Sequence, residues 1–330
     1  MTAQGAATAH IDNEREALRA AVCAGLGVPE GTQKTLPPWI FYDDEGSRLF
    51  EAITELPEYY LTRTERGLLL RYADDIITRT RGDDAARVHL VELGAGTATK
   101  TQILLAALVR QQGSALFMPI DVSAHALDLC TARLRRELPA VEVRPFVGRH
   151  DDAVAHVRDL GPRRLVCFIG SSLGNFSDDE NVALLRAVAS AMAPGGALLL
   201  GADRRKAPAR IVPAYDDAAG VTARFNKNML VRLNRDLRAN FDVDAFAHEA
   251  RFNDERSRIE MHLVATKAMR VTVPGVGTIA FRAGESIHTE NSVKYEDARL
   301  ERILDAAGFA REHSYVDDDG LFGLHLCRRR

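Results

Sequence analysis

Between residues 88 and 101 the sequence reads Val88-His-Leu-Val-Glu-Leu-Gly-Ala-Gly-Thr-Ala-Thr-Lys-Thr101. The apolar run through Leu93 is typical of a central strand in a parallel sheet, buried on both faces. Gly94 and Gly96 follow directly, and glycine permits the positive φ angles and the close backbone approach that a bound ligand requires. The spacing of apolar residues from Thr99 to Gln112 then predicts a helix. This succession of strand, glycine turn and helix start indicates a nucleotide-cofactor site.

The spacing of the glycines helps to identify the cofactor. The dinucleotide fingerprint G-x-G-x-x-G needs a third glycine for close packing of helix and strand, and that position here is Thr99. The form Glu-Leu-Gly-Ala-Gly-Thr resembles instead the first motif of class I S-adenosylmethionine (SAM) methyltransferases. The next predicted strand, Ala115 to Ile120, ends in Asp121, whose carboxylate can bind both hydroxyls of a ribose. A nucleoside site is therefore favoured over a purely structural turn and over a NAD-dependent oxidoreductase.

Composition excludes some partners and allows one large core or two smaller ones. The chain has 330 residues, 46% of them hydrophobic, and 43 basic against 46 acidic residues give a net charge of −3. This balance gives no electrostatic reason to expect nucleic acid or an anionic membrane as a partner. The expected partner is a small molecule, and we expect a monomer, although composition does not fix the oligomeric state.

The cysteines and the N-terminus point to a reducing compartment. Cys23, Cys130, Cys167 and Cys327 lie far apart without a C-x-x-C pair, which argues against a zinc knuckle or a redox motif. We expect four reduced core thiols and no metal. The first ten residues lack the basic start and the apolar segment of a secretory signal, and no apolar stretch could span a bilayer. The expected location is the cytoplasm.

From Val88 onward, strands and helices alternate in the manner that predicts a parallel sheet covered on both faces. The pattern changes between Ala207 and Val293, where a helix, Ala218 to Leu237, precedes several short strands that indicate a meander. The short strands are predicted at Ala247 to Phe252, Arg258 to Thr266, Met269 to Val273 and Gly277 to Phe281. The other predicted elements are helices at 124–138, 152–160, 178–193 and 300–307 and strands at 141–146, 164–170 and 197–200, with two more around Tyr315 and Leu324.

These patterns predict an α/β domain with an inserted α+β domain, and the order of elements in the first resembles that of the methyltransferase sheet. The first comprises residues 65–206 and 294–330, and the second comprises residues 1–64 and 207–293. The N-terminal segment, which is rich in aromatic residues, is expected to pack with the insertion. We expect the ligand pocket between the carboxyl edge of the sheet and the inserted domain.

Several polar and aromatic residues follow strands or turns. Asn175 ends the segment after the fourth predicted strand, and ligands of open α/β sheets bind at the carboxyl ends of strands. Its amide could accept a hydrogen bond from a substrate amine, or it could simply form a turn. Tyr59 and Tyr215 each follow a proline turn, and a phenol can bind a carboxylate without adding charge. Buried packing is the alternative for both tyrosines.

The run His288-Thr-Glu-Asn-Ser-Val-Lys-Tyr295 predicts a strand of polar groups that need partners. Alternation along a strand puts Glu290 and Ser292 on the same face. A carboxylate and a hydroxyl at this spacing can bind a ring with two polar nitrogens.

The chain resembles a known family, the L-histidine Nα-methyltransferases of ergothioneine biosynthesis, over nearly its whole length. Beyond the segments already described, the resemblance rests on Trp39-Ile-Phe-Tyr-Asp43, Leu56-Pro-Glu-Tyr-Tyr60, Ile120-Asp-Val-Ser123, Val212-Pro-Ala-Tyr-Asp-Asp-Ala-Ala-Gly-Val-Thr222, Phe225-Asn-Lys-Asn228 and Ile259-Glu-Met261. It implies a class I Rossmann-like fold with a mostly parallel seven-stranded sheet, in which a final hairpin inserts an antiparallel strand. The implied reaction is three successive methyl transfers from SAM to the α-nitrogen of histidine. The products would be hercynine and S-adenosylhomocysteine.

The resemblance also implies roles for individual residues. Tyr59, Asn175 and Tyr215 would hold the carboxylate and the amine of the amino acid, and Glu290 and Ser292 would read the imidazole. Residues expected at the cofactor are Gly94, Gly96, Thr97, Lys100, Asp121, Arg149, His150 and Gly170. Residues expected to shape the substrate pocket are Tyr42, Met261 and Asn291, and those nearest the reacting atoms are Tyr42, Asn175 and Tyr215.

Two segments depart from the family pattern. Bacterial members commonly have Gly-Asp-Phe where this chain has Gly148-Arg-His-Asp151, so Asp151 or backbone groups would bind the adenine amino group. Asn291 stands where the mycobacterial type has an apolar residue, which bears on side-chain specificity. A methyltransferase of another amino acid such as tryptophan, and a non-catalytic amino-acid-binding homologue, are the alternatives.

Overall fold

The structure of the protein is a computed structural model that describes residues 3–82, 87–149 and 163–330. The predicted helix at 152–160 lies outside these residues, as do His150 and Asp151. The described helices are α1 (Ala3–Leu26), α2 (Asp44–Thr54), α3 (Tyr60–Arg81), α4 (Thr101–Gln112), α5 (Ala124–Glu137), α6 (Asp178–Ala191), α7 (Pro208–Ile211), α8 (Val221–Leu237) and α9 (Asp297–Ala307). None of these helices is long and apolar enough to cross a membrane.

The described strands likewise follow the chain in order. They are β1 (Lys34–Thr35), β2 (His89–Leu93), β3 (Ala115–Asp121), β4 (Val141–Val143), β5 (Phe146–Val147), β6 (Arg164–Phe168), β7 (Ala197–Asp203), β8 (Phe246–Asn253), β9 (Arg258–Ala265), β10 (Met269–Val273), β11 (Gly277–Phe281), β12 (Ser286–Val293), β13 (Phe309–Val316) and β14 (Phe322–Arg329).

The chain divides into two compact units. One, called here the parallel-sheet unit, comprises Tyr59–Ala207, Glu255–Arg258 and Ser292–Arg330, and the other, the second unit, comprises Met1–Glu58, Pro208–Asp254 and Ile259–Asn291. The first division falls before Tyr59, earlier than the boundary after residue 64 that the sequence suggested. A later division falls inside β12, so this strand contributes Glu290 to one unit and Ser292 to the other.

The parallel-sheet unit contains the expected sheet. Its strand order is β13-β14-β7-β6-β2-β3-β4, and the two-residue β5 also pairs with β3. From β7 to β4 the neighbouring strands are parallel, whereas β14 is antiparallel to both β7 and β13. The final hairpin therefore inserts an antiparallel strand beside β7, which confirms the class I methyltransferase fold.

Two hydrophobic layers cover this sheet, because successive strand residues point to opposite faces. Val91 belongs to the layer that includes residues of α6 and α9. Its neighbour Leu90 belongs to the layer that includes residues of α3 and α4. Strands buried on both faces need continuous apolar runs, which is why β2, β6 and β7 were visible in the sequence.

In the second unit the pairing differs from the expected meander. Four strands form a sheet in the order β1-β12-β9-β8, while β10 and β11 form a separate antiparallel hairpin. The two-residue β1 pairs in parallel with β12. Alternating hydrophobicity reveals strands but not their partners, so the sequence could not show that β12 returns beside β9 after the hairpin. The helices α1 to α3 were also not predicted from the sequence.

One cysteine expectation was wrong. Cys130, Cys167 and Cys327 are buried free thiols, but Cys23 is exposed on α1. Burial raises the pKa of Cys130 and of Cys327 to about 12, so these two thiols stay protonated at neutral pH.

A buried amide organises the interior of the second unit. The Asn226 side chain on α8 donates to the His262 carbonyl at 3.1 Å and contacts His248 Nδ1 at 2.8 Å, and its carbonyl accepts from the Thr289 hydroxyl at 2.8 Å. The Asn226 amide nitrogen can only donate, so His248 Nδ1 accepts and Nε2 carries the proton. His248 Nε2 then donates to the Tyr215 carbonyl at 2.8 Å. Asn226 therefore connects α8 with three strands and with the Tyr215 turn.

We expect Asn226→Ala to lower the free energy of unfolding by about 2–4 kcal/mol, because several buried polar groups lose a partner at roughly 1–3 kcal/mol each. Urea unfolding of the variant and the wild type measures this difference. Arg224→Ala, an exposed substitution on the same helix, serves as the control and should change stability by less than about 0.5 kcal/mol. Equal stabilities of Asn226→Ala and Arg224→Ala would contradict the assigned role.

Candidate cofactor and substrate sites

The loop after β2 has the backbone conformation that the glycines predicted. Gly94 and Gly96 have φ angles of 72° and 51°, in the region that side chains disfavour. The N–H groups of Gly94 and Ala95 both donate to the Ile120 carbonyl at 2.9 Å. These bonds fix the glycine loop against the carboxyl end of β3.

The Asp121 side chain holds this glycine loop through hydrogen bonds to backbone N–H groups. Its Oδ2 accepts from the Gly96 N–H at 2.7 Å, and its Oδ1 accepts from the Ser123 N–H at 2.9 Å. A carboxylate offers about four lone-pair positions, so each oxygen can accept a further hydrogen bond. Apart from its chain neighbours, no described residue has an atom within 4 Å of the position where a Cβ of Gly96 would be. The loop therefore has an oriented carboxylate and open space beside it, and both fit a bound ribose.

The segment expected to bind adenine lies next to Asp121. β5 pairs with β3 so that Val147 is opposite Asp121, and the Gly148 N–H donates to the Asp121 carbonyl at 2.9 Å. Arg149 is exposed, and His150 lies outside the described residues. The assignment of these two residues to the cofactor stays a prediction, as does that of Asp151 or backbone groups to adenine.

Lys100 has a partner that the sequence did not reveal. Its ammonium forms an ion pair with Glu65 of α3, which is 1% exposed. The other oxygen of Glu65 accepts from the Gly170 N–H at 2.8 Å. Glu65 therefore joins α3, the start of α4 and the loop after β6. Glu65 lies four residues from Leu61 and four from Leu69, both of which are buried. This helical spacing is the sequence signal that could have identified Glu65 as a buried acid.

Gly201 on β7 shows how closely Glu65 is held. A Cβ at Gly201 would lie 2.3 Å from Glu65 Oε1, closer than real Cβ contacts allow. Glycine is thus required in the middle of a buried strand, where it otherwise weakens the sheet. Lys100 and Gly170, two of the predicted cofactor residues, are brought together around this carboxylate.

Glu92, the acid on β2 before the glycines, has an unusual electrostatic environment. Burial raises the pKa of its carboxyl to about 8, even though the Lys100 charge opposes this shift. Its Oε2 is buried without a hydrogen-bond partner among the described residues. At neutral pH the unliganded protein therefore holds Glu92 mainly as the neutral acid.

Asn175 lies on a short 3₁₀ helix, Ser172–Asn175, directly after β6. A Cβ at the preceding Gly174 would lie 2.9 Å from the Val293 nitrogen, so the close approach of this turn to the end of β12 requires glycine. The turn therefore places Asn175 near the backbone that carries Ser292. The Asn175 side chain is half-buried.

A buried ionic network lies at the carboxyl end of β7. Asp203, which is fully buried, accepts from the Tyr60 hydroxyl at 2.8 Å and pairs with Lys206 at 2.6 Å and Lys294 at 2.8 Å. The Lys294 ammonium also donates to Ser292 Oγ at 2.9 Å. Sequence reasoning identified Ser292 in this group but none of the other four residues.

The remaining predicted substrate residues lie in the second unit, except Tyr59, which directly precedes α3 in the parallel-sheet unit. Tyr42 packs edge-on against Phe225, with the two ring centroids 5.9 Å apart. Tyr59, Tyr215 and Met261 are buried, whereas Tyr42, Glu290 and Asn291 are half-buried. The Asn291 Oδ1 is buried without a hydrogen-bond partner among the described residues.

One cluster has the residue types of a metal site. Single ligand atoms of Glu260, His262 and His288 lie within 4.8 Å of one another. Tetrahedral zinc with bonds of about 2.0–2.1 Å needs ligand atoms about 3.3 Å apart. The two imidazole rings are stacked, 17° from parallel, and two stacked rings cannot both point their lone pairs at one ion. The observed arrangement is therefore that of packed histidines.

The fold and the site around β2 and β3 define a class of protein: a SAM-dependent methyltransferase with a class I fold. Residues 18–329 match the family described as histidine-specific methyltransferase, SAM-dependent. The chain belongs to this family.

Its curated relatives include proteins of nearly the same length. A "Histidine N-alpha-methyltransferase" of Mycobacterium tuberculosis is 43% identical over 95% of each chain. A protein of the same name from Mycolicibacterium smegmatis is 42% identical over 96% of this chain and 97% of that protein. The "Ergothioneine biosynthesis protein 1" of Neurospora crassa is 26% identical over 91% of this chain but only 34% of its own length.

The unusual pKa of Glu92 predicts how stability depends on pH. Because the folded-state pKa is raised, from 4.5 to about 8, native stability falls as pH rises from about 4.5 towards 8. Glu92→Gln mimics the neutral acid, so it should be more stable than the wild type at pH 7.5, by on the order of 3 kcal/mol, and equally stable near pH 4.5. Urea unfolding without ligand at both pH values measures this. A variant that is less stable at pH 7.5 would contradict the prediction.

We expect Asp121→Ala to weaken binding of S-adenosylhomocysteine at least about a hundredfold, because two charge-assisted hydrogen bonds, each worth roughly 1.5–3 kcal/mol, would be lost. Isothermal titration calorimetry measures this affinity. Ser123→Ala removes the N-cap of α5 without touching the carboxylate and should change the affinity much less. An unchanged affinity in Asp121→Ala would mean that Asp121 only holds Gly96 and Ser123 in place.

Proposed function

We propose that this protein transfers three methyl groups in succession from SAM to the α-nitrogen of L-histidine, which gives hercynine. The observation that carries this proposal is the match to a histidine-specific family over residues 18–329, combined with 43% identity to a histidine Nα-methyltransferase. The similarity to a fungal ergothioneine biosynthesis protein supports a role early in that pathway.

The residues of the parallel-sheet unit fit the cofactor. Asp121 would bind the ribose hydroxyls. Gly94, Gly96 and Thr97 would let the backbone of the loop come close to the cofactor. Lys100, held by Glu65 beside Gly170, would face its amino-acid part. Arg149 and His150 would also lie at the cofactor, and Asp151 or backbone groups would bind the adenine amino group. When bound, SAM supplies the electrophilic methyl group, and S-adenosylhomocysteine leaves.

The substrate residues would act by orientation. Tyr59 and Tyr215 would hold the carboxylate, and the Asn175 amide oxygen would accept a hydrogen bond from the amine. Tyr42, Met261 and Asn291 would shape the pocket around the side chain. Methyl transfer from a sulfonium needs a neutral amine in line with the S–CH3 bond, so positioning contributes most of the acceleration and no protein nucleophile is needed.

The proton balance explains why the reaction stops after three rounds. In each round the ammonium group loses one proton to solvent or to a pocket tyrosine, the lone pair of the resulting amine forms the N–CH3 bond, and the S–CH3 bond breaks. The monomethyl and dimethyl intermediates still have a lone pair after proton loss. The trimethylated nitrogen has none, so hercynine cannot react again. We further propose a monomeric cytoplasmic enzyme that needs no metal, nucleic acid or membrane, in keeping with its net charge of −3.

Mass spectrometry of L-histidine incubated with the protein and SAM tests this function. The expected products carry one, two and finally three added methyl groups on the α-nitrogen. Parallel reactions with L-tryptophan test the alternative amino acid. Methylation of tryptophan but not histidine would overturn the proposed substrate, and histidine binding without any turnover would indicate a non-catalytic homologue.

Glu290 supplies a prediction about specificity. If its carboxylate accepts a hydrogen bond from the imidazole N–H, Glu290→Ala should lower kcat/KM for histidine about ten- to a hundredfold, or roughly 1–3 kcal/mol. Tryptophan and phenylalanine lack that ring and should be affected less, since a site built for polar groups discriminates through them. Comparing kcat/KM for the three amino acids measures this. An equal loss for all three would show that Glu290 supports the fold.

A further inference from the structure

The loop after β6 has an unusual backbone where it leads into the 3₁₀ helix Ser172–Asn175. Gly170 and Ser171 are two consecutive residues with positive φ angles, of 81° and 60°. Residues other than glycine rarely adopt this left-handed region, and they persist in it only where the surrounding structure holds them. The Ser171 Oγ is buried and has no hydrogen-bond partner among the described residues. The serine side chain therefore does not hold this conformation through a hydrogen bond, and the loop depends on other contacts.

Two buried side chains converge on the backbone of this 3₁₀ helix. The amide of Asn181, a residue of α6, donates to the Leu173 carbonyl at 3.0 Å, and the Tyr295 hydroxyl donates to the same oxygen at 3.1 Å. The Phe176 N–H also donates to this oxygen, at the longer distance of 3.3 Å. Asn181 is fully buried and Tyr295 is 3% exposed. Leu173 lies two residues before Asn175, so both side chains hold the segment that carries the proposed partner of the substrate amine.

The direction of each hydrogen bond follows from the groups involved. The Asn181 amide nitrogen also donates to the Tyr295 hydroxyl oxygen, at 3.2 Å, so the phenol accepts one hydrogen bond and donates its own proton to Leu173. The opposite orientation of the Asn181 amide would place its oxygen against the Leu173 carbonyl oxygen, and neither atom can donate. Burial raises the pKa of Tyr295 well above its ordinary value, so the hydroxyl stays protonated and remains a donor.

Both donors belong to segments that regular structure already fixes. The Tyr295 N–H donates to the Asp203 carbonyl at 2.8 Å, and the Tyr295 carbonyl accepts from the Arg205 N–H at 3.0 Å. Tyr295 is thus attached to the end of β7 through its backbone. Asn181 lies near the start of α6, which begins with a capping box. The two side chains therefore relate the 3₁₀ helix to a neighbouring strand and to a neighbouring helix.

We propose that Tyr295 and Asn181 are positioning residues that hold Asn175 in place to accept a hydrogen bond from the α-amine of the substrate. This inference rests on the proposed function, in which Asn175 orients the amine while other residues hold the carboxylate. Methyl transfer requires the amine lone pair in line with the S–CH3 bond, so a small shift of Asn175 slows the chemical step. Loss of either donor therefore reduces turnover more than it reduces substrate binding.

Tyr295→Phe tests this inference, because it removes one hydroxyl and keeps the ring. We expect kcat for methylation of L-histidine to fall about ten- to a hundredfold, whereas KM for histidine should change less than about threefold. The dissociation constant (Kd) of S-adenosylhomocysteine should also stay within about threefold of the wild-type value, because the Asp121 loop is untouched.

Tyr315→Phe is the matched control. Tyr315 lies in the same unit and is also 3% exposed, but its hydroxyl donates to Asp75, at 2.6 Å, instead of to Leu173. The control loses the same atom and one buried hydrogen bond, so it should lower the thermal unfolding temperature to a similar degree. Its kcat for histidine should equal that of the wild type.

A double-mutant cycle separates positioning from a general loss of stability. If Tyr295 acts through Asn175, Tyr295→Phe should lower the residual kcat of an Asn175→Ala variant less than about twofold. Asn181→Ala removes the second donor to the same carbonyl and should likewise lower kcat at nearly constant KM, so it tests the inference even if Tyr295→Phe does not fold. Thermal unfolding shows whether each variant is folded at the assay temperature.

The outcomes distinguish the inference from the function on which it rests. A wild-type protein that methylates histidine while folded Tyr295→Phe and Asn181→Ala keep its kcat would overturn the inference alone. An equal loss of kcat in Tyr315→Phe would do the same, as would a full loss from Tyr295→Phe in the Asn175→Ala background. A wild type that methylates a different amino acid would overturn the proposed substrate, and the same series measured with that amino acid would still test the inference. A wild type without any turnover would overturn both.

Discussion

The ion pair between Lys100 and the buried carboxylate of Glu65 is the interaction on which the carboxyl edge of the parallel sheet depends. Glu65 also accepts from the Gly170 N–H, so one side chain fixes a helix start and a strand-end loop at once. Breaking such a pair leaves an uncompensated buried charge, which is strongly destabilising. Gly201 is confined to glycine by the same carboxylate. These contacts already orient the edge at which we place the cofactor when no ligand is bound, and preorganised sites bind with a smaller entropic penalty.

The same arrangement recurs at two other positions. Asp203 gathers Tyr60, Lys206 and Lys294 at the end of β7, and Asn226 gathers Thr289 and His248 inside the second unit. Each is a buried polar group whose hydrogen bonds are directed to several elements distant in sequence. Each is also connected, through one or two hydrogen bonds or ion pairs, to a residue that we propose binds a ligand. Polar networks of this kind fix side-chain geometry more strictly than apolar packing does.

The sequence predicted those features that depend on local pattern. The strand, glycine loop and Asp121 were visible because a buried parallel strand, a positive φ angle and an acid at a strand end leave marks within a few residues. The final hairpin and the seven-stranded order followed from the family resemblance. Asn175, Glu290 and Ser292 were chosen as candidates from their positions at strand ends and on one strand face, and their roles stay proposals.

What the sequence did not show depends on contacts between distant segments. Glu65 is one of three acids in a charged helix, and only the folded chain shows that it is buried against Lys100. Asp203, Lys206 and Lys294 are ordinary polar residues until β7 and β12 bring them together. The separate β10–β11 hairpin was missed for a similar reason, because alternation along a strand does not specify its partner.

The most direct test of this account is a crystal structure of the protein with S-adenosylhomocysteine and L-histidine. The account predicts that the Asp121 carboxylate lies within hydrogen-bond distance of both ribose hydroxyls. It also predicts that the imidazole contacts the Glu290 carboxylate through one nitrogen and the Ser292 hydroxyl through the other. A ribose bound away from Asp121, or a histidine ring that contacts neither Glu290 nor Ser292, would contradict it.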